Sequence, residues 1–266
     1  MNNIIYFIMK LVEIRTGQSS NIKTLFETLK DIITETNVII DKTGLKILTM
    51  DSSHTVLVFL DLDESKFEYF ACENRIVIGI SIIHLYKLIK GVTDKDVITL
   101  FIDNENTNVL GIRLENRVKN SITTYHLHLL DLNEISIEIP STTFDYVIEM
   151  DSIDFQKICR DMNNLSADTM EIKSIGEQLI FTCKSEFAQQ ETILRQSDDG
   201  LAYRESSDSI VQGLFRLKNL ITFTKCTNIS PKIDIFLKND YPLIIEYKVA
   251  TLGTLKLGLS PKISNE

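Results

Sequence analysis

The chain of 266 residues has only four cysteines and four histidines. Cys72, Cys159, Cys183 and Cys226 stand far apart, form no CxxC pair and have no histidine cluster beside them. Structural zinc requires ligands at short spacing, so no metal site is expected, and reduced intracellular thiols are the natural state of these residues. No P-loop or glycine-rich nucleotide fingerprint occurs, and no cofactor is expected. The apolar run at residues 4–9 is too short to cross a bilayer and is followed by no small-residue cleavage site, so neither a signal peptide nor a membrane partner is expected. Met9 stands beside Met1 as a second candidate start, which would make residues 1–8 an extension.

Two short motifs invite chemistry and do not sustain it. Asp51-Ser52-Ser53-His54 holds the residue types of a hydrolase triad, but a triad is defined by spatial roles, and neighbours on a tight loop point different ways. His126 and His128 share one face of a strand but lack a third ligand, which favours a polar edge or an interface over a metal. The sequence is therefore not expected to be an enzyme.

What is present is ordinary globular material, with 44% hydrophobic and 24% charged residues, which excludes a disordered chain. The length suits two domains. Apolar residues recur at helical spacing in four segments. These are 20–37 (Ile22, Leu25, Phe26, Leu29, Ile32, Ile33), 81–91 (Ile82, Leu85, Tyr86, Ile89), 151–164 (Phe155, Ile158, Cys159, Met162) and 216–227. Between them lie β-branched runs that read as strands at 38–40, 45–50, 55–60, 97–102, 109–114 and 123–130, then at 170–175, 179–183, 191–195, 233–237, 243–249 and 254–259. Residues 131–143 have little periodicity and contain Pro140, so they read as a connector, and the polar stretch 196–209 reads as a loop. The chain thus runs twice through helix, strands, helix, strands, the pattern of two similar α+β domains.

The net charge of −9 argues against nonspecific adhesion to nucleic acid unless basic residues are gathered in one place. They are partly gathered. The four helical segments hold nine basic residues against six acidic ones, a net of +3, which leaves −12 for the rest of the chain. Basic helix stripes in an acidic protein fit either a polyanion partner or ordinary solvated helix faces.

Several stretches decide between these readings. They are Leu29-Lys30-Asp31, Thr49-Met50-Asp51-Ser52-Ser53-His54, Ile158-Cys159-Arg160-Asp161, Phe223-Thr224-Lys225, Pro242-Leu243-Ile244-Ile245-Glu246-Tyr247-Lys248 and Pro261-Lys262-Ile263. In order and spacing, over nearly the whole chain, they resemble the proliferating cell nuclear antigen (PCNA) family of DNA polymerase sliding clamps. The resemblance implies a DNA clamp fold of class α+β, with helices on an inner face and antiparallel sheets outside. Its N-terminal domain would span residues 10–130, its connector 131–143 and its C-terminal domain 144–263. It implies a homotrimeric processivity ring around duplex DNA, placed by a clamp loader, that tethers DNA polymerase and proteins with PCNA-interacting peptide motifs for replication and repair. The family's habit is nuclear, or a viral replication site if the source is a large DNA virus.

By the same resemblance Lys23, Lys30, Lys87, Lys90, Lys157, Arg160, Lys218 and Lys225 would face DNA. Met50, His54, Leu57, Ile137, Ile139, Phe144, Pro242, Ser260 and Pro261 would receive the partner peptide. Tyr125 and Leu127 of one copy would meet Ile193 and Arg195 of the next. Two departures bear on the peptide. Ile137-Glu138-Ile139-Pro140 lacks the family's common glycine before Ile-Pro, and Gly258 stands where an aromatic residue is usual. A checkpoint-type clamp subunit, a monomeric polymerase accessory factor and a peptide-docking scaffold without DNA binding are the alternatives.

Overall fold

The computed structural model describes residues 10–134, 137, 141–198 and 200–262. The apolar run 4–9, the alternative start at Met9, and Ile139 and Pro140 lie outside the described residues. The chain forms two compact units. One comprises Met1–Leu48, Leu60–Ile135 and Thr251–Gly253, and the other Thr49–Phe59, Ser136–Ala250 and Thr254–Glu266.

In chain order the first half contains β1 (Lys10–Thr16), α1 (Ser19–Leu29), β2 (Glu35–Asp41), β3 (Gly44–Met50), β4 (Val56–Asp63), β5 (Tyr69–Cys72), β6 (Ile76–Ser81), α2 (Ile82–Ile89), β7 (Asp96–Asp103), β8 (Asn106–Asn116) and β9 (Ser121–His128). The second half contains β10 (Tyr146–Asp151), α3 (Ser152–Asn164), β11 (Thr169–Ile175), β12 (Gln178–Lys184), β13 (Gln189–Arg195), β14 (Ala202–Glu205), β15 (Val211–Arg216), α4 (Leu217–Phe223), β16 (Lys232–Leu237), β17 (Leu243–Val249) and β18 (Gly253–Leu259). Strand, helix, five strands, helix, three strands therefore occurs twice, so the repeat seen weakly in the residues is complete in the architecture.

In the first unit β5-β1-β7-β8-β9 form an antiparallel sheet, and β2 pairs with both β3 and β6. In the second, β13-β12-β11-β15 form one antiparallel sheet, while β10 lies between β14 and β16, and β16 pairs on to β17. The strands alternate as half-buried sheet faces should. On β2, for example, Thr36, Val38 and Ile40 are buried while the residues between them are half-exposed. The helices bury one stripe each: Ile22, Leu25, Phe26 and Leu29 on α1, and Phe155, Ile158, Cys159 and Met162 on α3. Gly44 makes the tight β2–β3 turn possible. Its φ is +141°, and a Cβ there would lie 1.9 Å from the Leu62 carbonyl oxygen.

The structure corrects two readings of the sequence. The helix expected over 20–37 stops at Leu29, and residues 35–41 are strand β2. The stretch Ile32-Ile33-Thr34-Glu35-Thr36 is rich in β-branched residues, which lose rotamer freedom in a helix, and pairing of β2 with β6 from Glu35 onward decides the conformation. Ile33 still reaches the core from the turn, which is why the helical period seemed to continue. The loop expected over 196–209 contains β14. That strand is short and charged, and Arg204 fastens it to Glu149 and Asp234 rather than by apolar alternation. Strands β1, β5, β6, β10 and β15 lie where the sequence reading placed none.

Candidate functional site

The second unit carries an apolar cavity of about 440 Å³. Its floor comes from outward-facing residues of four strands: Leu57 and Phe59 of β4, Phe236 of β16, Ile244 of β17 and Gly258 of β18. Phe236 and Ile244 are direct cross-strand partners. Met50, Ile137, Phe144, Tyr241 and Pro242 build the walls. Phe144 is the hub of an aromatic cluster, with ring centroids 5.2 Å from Phe236 and, edge-on, 5.5 Å from Tyr241. Lys256 closes one side, its Nζ 5.6 Å above the Phe236 ring and 2.9 Å from a Glu246 oxygen. Gly258 leaves the floor open, because a Cβ there would lie 3.1 Å from Ile244 Cδ1 and 3.2 Å from Leu57 Cβ. An apolar concavity with few polar groups is a form that receives apolar groups.

Of the nine residues expected to receive a peptide, Met50, Leu57, Ile137, Phe144 and Pro242 line this cavity together. Ile139 lies outside the described residues. His54 and Ser260 are exposed and not among the lining residues, and Pro261 lines a neighbouring cavity of about 380 Å³ with Leu214, Tyr241 and Lys262. The tail backbone is already engaged, since Ser260 N–H donates to the Thr55 carbonyl at 3.1 Å and Lys262 N–H to that of Leu214 at 2.7 Å. Sequence reasoning missed Phe59, Phe236, Tyr241, Ile244 and Lys256. Period-two alternation from Leu57 gives Phe59, and alternation against buried Leu243 and Ile245 gives Ile244. The positions of Phe236 and Tyr241 depend on sheet pairing and had no local signal.

The Asp51–His54 motif is a turn. The Asp51 carboxylate accepts from Thr55 N–H at 2.8 Å, from Val56 N–H at 2.7 Å and from the Ser53 hydroxyl. Partial burial acts to raise the Asp51 pKa, but these hydrogen bonds outweigh it and hold the group below its ordinary value. His54 takes a left-handed φ of 53°. Asp51 is thus a positioning residue that fixes the loop leading from Met50 into β4.

A second charged cluster crosses the strands of this unit. Glu149, Asp234 and Glu246 are successive cross-strand partners on β10, β16 and β17, with Arg204 and Lys232 on Glu149 and Arg204 also 3.2 Å from Asp234 Oδ2. Asp234 is buried and its Oδ1 has no hydrogen-bond partner among the described residues. Burial raises its pKa, Arg204 opposes that, and the neighbouring Glu246 and Glu149 add to the rise.

The basic residues fall into two kinds. On α2 and its end, Lys87 and Lys90 are exposed, and the helix carries no acid. On α4 and the turn after it, Lys218 and Lys225 are exposed, again with no acid on the helix. In contrast, Lys157 and Arg160 of α3 alternate with exposed Asp154 and Asp161. Lys23 is half-buried. Lys30, capping α1, lies 2.9 Å from Asp31 Oδ1 and 5.3 Å over the Tyr86 ring, while Tyr86 donates to Glu27 at 2.7 Å. Lys30 and Lys90 stand at helix C-termini, where a cation also complements the helix dipole.

Two sheets end in open edges, β9 and β13. Tyr125 is half-buried and Leu127 is buried within its own unit, whereas Ile193 and Arg195 face outward. No group of three metal-ligating side chains is found among the described residues.

Comparison with known proteins covers the whole of this architecture. Residues 11–137 match the family described as proliferating cell nuclear antigen, N-terminal domain, and residues 138–262 its C-terminal domain. A protein of Paramecium bursaria Chlorella virus 1 described as "Probable DNA polymerase sliding clamp 1" is 33% identical over 258 residues, covering 96% of this chain and 98% of the viral protein. The crystal structure of proliferating cellular nuclear antigen from Entamoeba histolytica superposes with a TM-score of 0.87 at 26% identity, over 96% of this chain and all of that one.

Proposed function

The chain belongs to the proliferating cell nuclear antigen family, and from that premise we propose that it is a DNA sliding clamp, a processivity factor without catalytic activity. Three copies close into a ring around duplex DNA. Lysines and arginines on the helices meet phosphates, a contact that reads no sequence and so permits sliding. The acid-free helices α2 and α4 are the strongest candidates for this contact, and α1 and α3 are the weaker ones.

The apolar cavity takes the apolar and aromatic side chains of a partner segment, by which DNA polymerase and other replication and repair proteins are tethered. A clamp loader places the ring on DNA. The work takes place in a nucleus or at a viral replication site, the latter suggested by the relationship to a viral clamp.

The observation that carries this reading is the two-domain family match from residue 11 to residue 262, over a fold whose halves repeat the same element order. The test is native mass by light scattering. Three chains of 30.4 kDa each are expected, and a stable monomer at micromolar concentration would contradict the ring.

A further inference from the structure

The outward face of β18 has a gap in its row of side chains. Leu255, Leu257 and Leu259 point into the core and are fully buried, so Thr254, Lys256 and Gly258 share the other face. Gly258 has no left-handed φ, so the backbone does not require glycine there. Its neighbours do. A Cβ at 258 would stand 3.1 Å from Ile244 Cδ1 on β17 and 3.2 Å from Leu57 Cβ on β4. The floor of the apolar cavity therefore sinks to the backbone between Ile244 and Leu57, and any side chain at 258 would rise into the cavity. A glycine inside a strand weakens packing and marks a place where another group approaches closely.

We propose that Gly258 sets the size of the anchor this cavity accepts, so that an uncharged two-ring aromatic side chain, an indole, is preferred over a single ring. This rests on the reading of the cavity as the tether for a partner segment and adds the side chain by which that segment is selected. Gly258 occupies a position at which an aromatic residue is usual in the family, so in this chain the partner supplies the ring. A flat ring can lie on the bare strand between Ile244 and Leu57, with the Phe144–Phe236 pair beside it.

Charge and polarity agree with such an anchor. Lys256 is the one charged residue of the described lining, and its ammonium is already paired with Glu246 at 2.9 Å, so it gives no advantage to an acidic side chain. Thr142 and Tyr241 line the same cavity, and their hydroxyls are acceptors for an indole N–H. An indole has about 50 Å² more apolar surface to bury than a phenyl ring, which is worth about five- to ten-fold in Kd. With a methyl or a larger group at 258 the second ring meets that group and the gain is lost.

Fluorescence anisotropy tests this with two labelled peptides that carry the same PCNA-interacting motif and differ only in phenylalanine or tryptophan at the anchor. The wild-type protein should bind the tryptophan peptide about five- to ten-fold tighter. Gly258→Ala should abolish or reverse that preference. Ile244→Phe raises the same floor from the neighbouring strand without adding a Cβ to β18. It should have the same effect, and it decides the matter if a thermal melt shows Gly258→Ala to be unfolded. Equal binding of the two peptides by the wild type, or a preference that persists in the folded variants, overturns this inference and leaves the tether reading intact. Failure of both peptides to bind the wild type overturns both.

Discussion

Replacing Phe144 by alanine separates the cavity's role in binding from its role in folding. The ring is half-buried and touches two aromatic partners, Phe236 and Tyr241, with centroids 5.2 and 5.5 Å away. Each such pair contributes about 0.5–1.5 kcal/mol beyond area burial, and losing part of the buried ring adds about 1 kcal/mol. The second unit should therefore lose about 2–4 kcal/mol and remain folded. A ligand side chain held against this wall loses a comparable contact, on the order of 1–2 kcal/mol, which is about 5- to 30-fold in Kd. Fluorescence anisotropy with a labelled peptide carrying a PCNA-interacting motif reads that change, and a thermal melt shows that the variant is folded. His54→Ala, exposed and outside the cavity lining, should shift Kd by less than about two-fold. A folded Phe144→Ala protein that binds as tightly as the wild type would refute the assignment of this cavity.

Lys87→Ala combined with Lys218→Ala should weaken duplex DNA binding and flatten its salt dependence, each lost phosphate contact lowering the log–log slope by about 0.9. Titrations between 50 and 200 mM salt, on the order used for such slopes, check this, and an unchanged slope would remove α2 and α4 from the DNA face. Asp51→Asn should cost about 1 kcal/mol at neutral pH, a charged hydrogen-bond effect reduced by solvent screening. Because the folded pKa of Asp51 is depressed, its contribution is present above about pH 4 and is lost as the pH falls through the folded value. Urea melts at pH 7 and pH 3 should show the gap between wild type and variant closing. Asp234 has the opposite sign, since its folded pKa is raised and its stabilising effect is lost as the pH rises through that value. Asp234→Asn should then be neutral or stabilising at pH 7, and a loss of more than about 1 kcal/mol would mean that the Arg204 pair outweighs the burial of the charge.

What was legible in the sequence was whatever has a local period or a local motif. The inward stripes of α1, α2 and α3, the alternation of β16 to β18, and the Asp51 turn all needed only neighbouring residues. The end of α1 did not, because Ile32 and Ile33 satisfy a helical period while the pairing of Glu35–Asp41 with β6 claims the chain. Strand β14 was hidden for the opposite reason, since its anchor is Arg204 on two carboxylates 55 and 30 residues away. Half of the cavity followed from the family resemblance. The rest, Phe236 and Tyr241 above all, comes from strand pairing and a hairpin that bring distant aromatics around Phe144. Charge counting along the sequence found the basic helices, and the structure adds that Glu27 on α1 and Asp154 and Asp161 on α3 are exposed beside the basic residues.

A sliding clamp is held on DNA by topology, and that is the property to measure. The protein is threaded at high concentration onto a linear duplex biotinylated at both ends, streptavidin is added either before or after it, and the mixture is passed through a sizing column at high salt. A closed ring predicts retention only when streptavidin follows the protein, because blocked ends keep the ring from sliding off or on. Equal retention in both orders, or none in either, would contradict encirclement.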